Sequence, residues 1–173
     1  MREDRSQYQF KINLWTGILN GKIIGPFQLP ETLNGDIYLD FLRNQLPNLL
    51  EDVPLNILRD MWYQHDGCPA HYARPVRNYL SEEYPDRWIG RLGPIVWPPR
   101  SPDLNPLDFF YWGCLKEKVY SKLIQSRAEL QRRIFVAAEE INSRSYTQQV
   151  KRSFLRRCRA CIRAGGSQFK HLL

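Results

Sequence analysis

The chain lacks the long hydrophobic runs of membrane proteins. No apolar stretch approaches the roughly 20 residues that cross a bilayer. The amino-terminal ten residues, MREDRSQYQF, are charged and have no apolar core of the kind found in secretory signals. We therefore expect neither a membrane partner nor a secretory leader.

Cysteine is scarce as well. The 173 residues hold four cysteines, too few for a disulfide scaffold at this length. Cys158 and Cys161 form one C-x-x-C pair without a second pair, which favours two inward positions on a helix over a metal site. The sequence also shows no serine–histidine–aspartate pattern, no phosphate-binding glycine loop and no internal repeat. We expect a reduced, intracellular protein.

What is present suits one globular domain over 1–173, with 43% hydrophobic and 13% aromatic residues. Charge is divided unevenly. Residues 116–173 hold 14 Lys and Arg against 4 Asp and Glu, a net of +10, whereas residues 1–115 have a net of −3. We expect a basic helical part at about 126–173 that meets a polyanion, although a solvated helical face has the same composition.

The amino-terminal part predicts a hairpin and then a helix. YQFKINLWTGIL alternates and is rich in strand-forming residues, and Asn20-Gly21 is a strong turn signal. GDIYLDFLRNQLPNLL has helical spacing, which Pro47 should kink or shorten. The predicted inward face comprises Tyr38, Phe41, Leu42, Leu46 and Leu49.

The middle of the chain predicts strands alternating with a helix. Residues 58–64 are apolar and then polar, and we expect a strand there that ends just before Asp66. HYARPVRNYLSEEY predicts a helix, and RWIGRLGPIVWPP predicts one or two short strands.

The last third predicts helices. Asn105 should cap a helix that has Pro106 first and Asp108 third, and Ser126 with Glu129 forms a capping box for the next helix. A final helix should end at Gly165-Gly166. Its expected inward residues are Tyr146, Val150, Phe154, Cys158 and either Cys161 or Ile162. The fold class is α/β.

Two aspartates attract attention because of where they lie. Asp66 follows a predicted strand, and Asp108 lies in the first turn of a predicted helix. If they converge, their oxygens suit Mg²⁺ or Mn²⁺, and a pair of such ions serves phosphodiester chemistry. Structural explanations stay open: Asp66 before Gly67 suits a turn, Asp108 suits the helix dipole, and Asp103 suits a loop.

Two histidines flank the first of these aspartates. His65 and His71 have no Cys, Asp or Glu partners at zinc-site spacing. We expect His65 near the site and His71 as a hydrogen-bonding residue at the start of a helix.

The segments QHDGCPAHYARPVRNYL and WPPRSPDLNPLDFFYWG together strongly resemble the catalytic domain of mariner-like DDE transposases, and the likeness extends over nearly the whole chain. The resemblance implies a ribonuclease H-like fold and metal-dependent DNA cleavage and strand transfer. It implies that Asp66 and Asp108 are the second and third catalytic acids and ligands of Mg²⁺ or Mn²⁺. The expected supporting residues are His65, His71, Asp103 and Asn105.

The resemblance also implies a first catalytic aspartate and a helix-turn-helix upstream of the INLW strand, and neither is found in this sequence. We therefore expect a partial fold without its first strands, from a truncated copy, that binds metal weakly and is inactive alone. Its implied partners are DNA and a second copy or a full-length transposase, in the nucleus. The alternatives are a host-recruited non-catalytic DNA-binding module and a non-functional remnant. The expected DNA contacts are Lys151, Arg152, Arg156, Arg157, Arg159 and Arg163.

Overall fold

The computed structural model describes residues 10–98, 101–144 and 146–173, with only the backbone of Thr147. The chain packs as two compact units. The middle unit is Leu29–Ser101, and the terminal unit joins the chain up to Gln28 with Pro102–Leu173. The expected single domain over 1–173 stays a prediction.

The described chain opens with a β-hairpin. Strands β1 (Asn13–Leu19) and β2 (Lys22–Leu29) form a two-stranded sheet. Asn20 and Gly21 both have positive φ, 48° and 79°, which is the backbone of a two-residue hairpin turn. The turn predicted from Asn-Gly is confirmed.

The predicted helix after the hairpin has three parts. These are α1 (Gly35–Asp40), a π-helical turn (Phe41–Gln45) and α2 (Leu46–Leu49). Pro47 has no amide hydrogen to donate to the preceding turn, so a wider register just before it is the physical consequence. The inward face is buried as predicted, except that Leu49 is only partly buried.

The predicted strand at 58–64 is largely wrong. Residues up to Asp60 belong to helix α3 (Leu55–Asp60), which begins after Pro54. Pro54 is the N-cap residue of this helix, and the short apolar stretch fits either period. Only β3 (Tyr63–Gln64) remains a strand.

A three-stranded parallel sheet supports the middle unit. After helix α4 (Arg74–Glu83) come β4 (Trp88–Gly90) and β5 (Ile95–Val96), and the strand order is β3-β4-β5. The backbone N–H of His65 donates to Ile89 O at 3.0 Å, so pairing continues one residue beyond β3. Asp66 therefore follows directly on the carboxyl end of the paired segment, as predicted.

The terminal unit continues with helices. In order they are a 3₁₀ turn (Pro102–Leu104), a π-helical turn (Leu107–Tyr111), α5 (Trp112–Val119), α6 (Arg127–Ser143), α7 (Thr147–Arg163) and a 3₁₀ turn (Lys170–Leu172). The core of this unit lies between α5 and α6, with β1 residues packed against it, and includes Tyr111, Leu115, Val119, Leu130, Ile134 and Ile141.

Local signals at the helix ends behave largely as predicted. Ser126 Oγ accepts from Glu129 N at 3.1 Å, and the Glu129 carboxylate accepts from Gln125 N at 2.8 Å. The capping box is thus formed, with its return bond one residue earlier than usual. α7 ends at Arg163 with Ala164 as its C-cap, and the predicted stop, Gly165-Gly166, follows with positive φ at both glycines.

Asn142 in α6 holds the hairpin. Its Oδ1 accepts from Ile23 N at 3.1 Å, and its Nδ2 donates to Ile23 O at 3.3 Å. Both backbone polar groups of one β2 residue are therefore satisfied by a single side chain.

Helix α7 is less buried than predicted. Its expected inward residues are only partly buried, and Ile162 is 78% exposed, so Cys161 is the inward member of that pair. Ala160 is fully buried. All four cysteines are free thiols. None of the described helices is long and apolar enough to cross a membrane.

Candidate functional site

Asp66 sits in a turn directly after the parallel sheet of the middle unit. Its Oδ1 accepts a hydrogen bond from Cys68 N at 3.0 Å. Asp66 therefore stabilises the turn, which is the structural role that the sequence left open for it. The side chain is still 54% exposed. A turn role and a ligand role are compatible here, because the hydrogen bond from Cys68 uses only Oδ1 of the carboxylate.

His71 is the side chain that meets Asp66. Its Nδ1 lies 2.7 Å from Asp66 Oδ1. This contact, together with the Cys68 amide, lowers the pKa of Asp66 despite partial burial. Asp66 is therefore an ionised carboxylate at neutral pH, as expected for a cation ligand. The contact with His71 Nδ1 is an ion-pair distance without hydrogen-bond geometry, so the hydrogen-bonding role of His71 stays a prediction.

His65 lies behind this pair, and 7% of its surface is exposed. Its ring stacks on His71 with centroids 5.0 Å apart and planes 5° apart. Burial first, and the neighbouring His71 second, lower the pKa of His65 to about 3. Neither ring nitrogen of His65 has a hydrogen-bond partner among the described residues. A neutral imidazole thus supports His71 by packing.

Two features that the sequence prediction missed position these rings. Tyr38 lies over His71 with ring centroids 4.3 Å apart, and its hydroxyl shares a 2.8 Å hydrogen bond with Tyr63. A Cβ at Gly90 would stand 2.5 Å from the His65 ring. The glycine after the Trp88–Ile89 pair was the only sequence signal of this close approach.

Asp108 lies in the first turn of a helix in the terminal unit. Asn105 Oδ1 accepts from Leu107 N at 3.1 Å, and Asn105 Nδ2 donates to Asp108 Oδ2 at 2.9 Å. Asn105 therefore caps this helix as predicted and also orients the Asp108 carboxylate. Asp108 is exposed.

Asp103, in the 3₁₀ turn before Asn105, is engaged with cations. Arg157 Nη1 lies 3.3 Å from its carbonyl oxygen and 3.5 Å from Oδ1, and Lys170 Nζ lies 3.6 Å from Oδ1. This placement assigns Asp103 to anchoring the turn. That Asp108, rather than Asp103, is the ligand stays a prediction.

Arg157 lies differently from the exposed basic set in which we expected it. Its side chain is 16% exposed, and its guanidinium stacks on Phe109 at 4.4 Å from the ring centroid. It sits three residues after Phe154, on the partly buried face of α7. The other five predicted basic residues are exposed: Lys151, Arg152, Arg156, Arg159 and Arg163.

The two aspartates belong to different compact units, Asp66 to the middle unit and Asp108 to the terminal unit. Each lies in the local setting predicted for it. That their carboxylates face each other stays a prediction.

Comparison with solved structures defines the class of fold. The Mos1 transposase catalytic domain with raltegravir and Mn has a TM-score of 0.69 and 18% identity, over 92% of this chain and 83% of that chain. The Mos1 mariner paired end complex with Mn has a TM-score of 0.73 and 21% identity, over 98% of this chain and 48% of that chain. The chain has the ribonuclease H-like α/β fold, and this prediction is confirmed.

Two curated proteins resemble the chain in sequence. The Tcb1 transposase of Caenorhabditis briggsae is 27% identical over 165 residues, 92% of this chain and 54% of the relative. The Tc3 transposase of Caenorhabditis elegans is 31% identical over 64 residues, 37% of this chain and 17% of the relative. The chain is homologous to these transposases, as the predicted resemblance implied. It spans about half the length, or less, of these curated relatives. No protein-family model matches it.

The solved Mos1 catalytic domain structures are named with Mn and with Mg, so we tested whether residues of this chain would fit such an ion. Asp66 fits as one ligand, because its carboxylate is ionised and half-exposed. Within residues 10–98, 101–144 and 146–173, however, no group of three or more His, Cys, Asp or Glu side chains is arranged to hold an ion. Asp66 is thus suited to such an ion, but the described residues do not provide a complete set of ligands.

Proposed function

We propose that this transposase-derived chain binds DNA through the exposed basic face of α7. Arg152, Arg156, Arg159 and Arg163 follow one another at helical spacing and form one stripe, about 16 Å long at 1.5 Å per residue. All four are exposed, and residues 116–173 have a net charge of +10. This stripe is the observation that carries the proposal.

Such a stripe suits phosphates rather than base edges. Arginine gives charged, forked donors that match phosphate oxygens, and phosphate contacts bind without reading sequence. We expect non-specific binding with a Kd on the order of 10⁻⁴–10⁻⁶ M at physiological salt. A nuclear location follows from this proposal, since the substrate is DNA.

A salt titration tests the stripe. Removing two phosphate contacts should reduce the slope of log K against log salt by roughly 1.8 for duplex DNA. The test variant is Arg156→Ala/Arg159→Ala. The matched control is Lys122→Ala/Arg132→Ala, which removes two exposed charges from elsewhere in the terminal unit. Equal slopes for the two variants would overturn the proposal.

The ancestral chemistry gives the second part of the proposal. Asp66 and Asp108 are the carboxylates we assign to Mg²⁺ or Mn²⁺, and such an ion supplies Lewis-acid stabilisation and an activated water in phosphodiester cleavage. His71 holds Asp66, and Asn105 holds Asp108. We expect weak ion binding without cleavage, because the described residues provide no three-ligand group.

Ion binding and cleavage are measured separately. Mn²⁺ binding followed by electron paramagnetic resonance should weaken in Asp66→Ala and in Asp108→Ala, with Asp36→Ala, an exposed aspartate of α1, as control. Nicking and strand transfer should be absent with Mg²⁺ or Mn²⁺. Nicking that is abolished by Asp66→Ala would show that the chain is an active enzyme.

The alternative function is a host-recruited, non-catalytic DNA-binding module. Such a module would use the same basic stripe, but Asp66 and Asp108 would be dispensable for its function. DNA binding together with Mn²⁺ affinity unchanged in both aspartate variants would favour this alternative.

A further inference from the structure

A cavity in the terminal unit has neither Asp66 nor Asp108 among its lining residues. It has a volume of about 360 Å³. Its walls come from the β1–β2 hairpin, the start of the Asp108 helix, the end of α6 and the start of α7. Small-molecule pockets begin at about 300 Å³, so this cavity suits one small ligand.

The walls are aromatic and aliphatic. Phe110, Tyr146 and Phe154 line the cavity, with Ile18 and Ile23 from the hairpin. The rings of Phe110 and Tyr146 lie 5.1 Å apart at 58°. Aromatic walls suit a flat, aromatic ligand that can stack on them.

The rim is cationic. Arg144 and Lys151 line the cavity and are exposed. Arg144 also pairs with Glu140 at 3.0 Å. Within the part of the chain that the structure describes, Lys151 has no carboxylate partner. A stacking wall beside a cationic rim is the combination that binds unpaired nucleotides, base on the wall and phosphate at the rim.

We infer that this cavity takes one unpaired nucleotide of bound DNA, with its base against the aromatic wall and its phosphate at Arg144 and Lys151. The inference rests on the proposed DNA binding and adds to it a preference for a base outside the helix stack. The volume fits one nucleotide rather than a longer strand. Lys151 also adjoins Arg152, so the cavity lies beside the basic stripe on α7.

Three labelled duplexes of equal length test the inference by fluorescence anisotropy with the full chain. One is fully paired, one carries a single bulged adenosine, and one carries an abasic bulge with the same phosphates and the same flexibility. Stacking one base on aromatic side chains corresponds to about fivefold or more in affinity. The bulged adenosine should bind tighter than the abasic bulge by this factor.

Two neighbouring residues provide matched variants. Lys151→Ala and Arg152→Ala each remove one exposed charge, but only Lys151 lines the cavity. Lys151→Ala should weaken both bulged duplexes more than the paired duplex, because both bulges carry the phosphate, whereas Arg152→Ala should weaken all three duplexes equally. Phe154→Leu keeps an apolar side chain and removes a ring, and it should reduce the preference for the bulged adenosine over the abasic bulge.

Equal affinity for the two bulged duplexes would overturn the inference, as would identical behaviour of Lys151→Ala and Arg152→Ala. In both cases the proposed DNA binding would stand, since all duplexes still bind. Failure of all three duplexes to bind would overturn the proposed function and this inference together.

Discussion

At the scale of single residues, the setting of Asp66 depends on a stack that begins at Gly90. The His65 ring occupies the space next to Gly90 Cα, lies on His71, and His71 in turn contacts Asp66. The absence of a Cβ at Gly90 thus makes room for the His65 ring, on which the positions of the His71 and Asp66 side chains depend. A substitution at Gly90 would therefore affect the Asp66 carboxylate through His65 and His71 rather than by direct contact.

Gly90→Ala should lower the free energy of unfolding by about 1–3 kcal/mol, because overpacking forces the His65 ring to move. Urea unfolding measures this. Gly113→Ala in α5 is the matched control, because nothing lies within 4 Å of its added Cβ. It should stabilise the chain by up to about 1 kcal/mol, since alanine is the better helix former. Equal effects of the two variants would contradict the stack.

At the scale of elements, helix α7 anchors the 3₁₀ turn (Pro102–Leu104) that precedes Asp108. Arg157 holds Asp103, and Asn105 two residues later caps the helix and bonds the Asp108 carboxylate. The helix thus has one face of exposed cations and one partly buried cation that fixes a neighbouring turn.

Arg157→Ala should lower the free energy of unfolding by roughly 1–3 kcal/mol, from the lost hydrogen bonds to Asp103 and the lost stacking on Phe109. Arg156→Ala, the exposed neighbour, should stay within about 0.5 kcal/mol of the wild type. Thermal or urea unfolding of both variants checks this. An Arg157→Ala chain as stable as Arg156→Ala would show that the turn needs no anchor.

The start of α6 gives a pH-dependent prediction. The Gln125 amide and then Arg133 lower the pKa of Glu129 below its usual value. A lowered folded-state pKa contributes stability that is present above the unfolded pKa and lost as pH falls. The stability difference between wild type and Glu129→Gln should be full at pH 7 and shrink below about pH 4. Urea midpoints at several pH values measure it.

Glu139→Gln, an exposed substitution on the same helix, is the control for Glu129→Gln. It should show a small difference at every pH. A Glu129→Gln deficit that persists unchanged at pH 3 would contradict the ionised capping interaction.

At the scale of the whole molecule, charge is divided between the sequence regions, with +10 over residues 116–173 and −3 over residues 1–115. We expect DNA to slow amide hydrogen exchange in α7 and to leave α1 and α2 unchanged, because phosphates concentrate at the exposed basic stripe. Exchange measured with and without duplex DNA checks this. Protection confined to Leu29–Ser101 would contradict it.

The sequence predicted those features whose causes are local. Asn20-Gly21, Asn105 with Pro106, and Ser126 with Glu129 each fix a backbone conformation within a few residues. The placement of Asp66 after a strand and of Asp108 in the first turn of a helix was predicted because strand and helix ends are local as well. That much of the fold and the site needs no knowledge of distant contacts.

Prediction failed where packing decides. The stretch 58–64 fits two periods, and most of the strand gave way to α3. Arg157 occupies a helical position facing inward, but its charge suggested solvent. The pairing of Arg157 with Asp103 joins residues 54 positions apart, and the stack from Gly90 through His65 to His71 joins separate elements. No local pattern encodes either.

The two bonds between Asn142 and Ile23 bear on how this molecule meets others of its kind. Backbone N–H and C=O groups left open along a hairpin are a template on which a strand from another molecule can pair, and such pairing leads to aggregation. At Ile23 both groups are already taken by one amide side chain. Asn142 imitates a neighbouring strand for one residue and so closes this position of β2 from within the same chain.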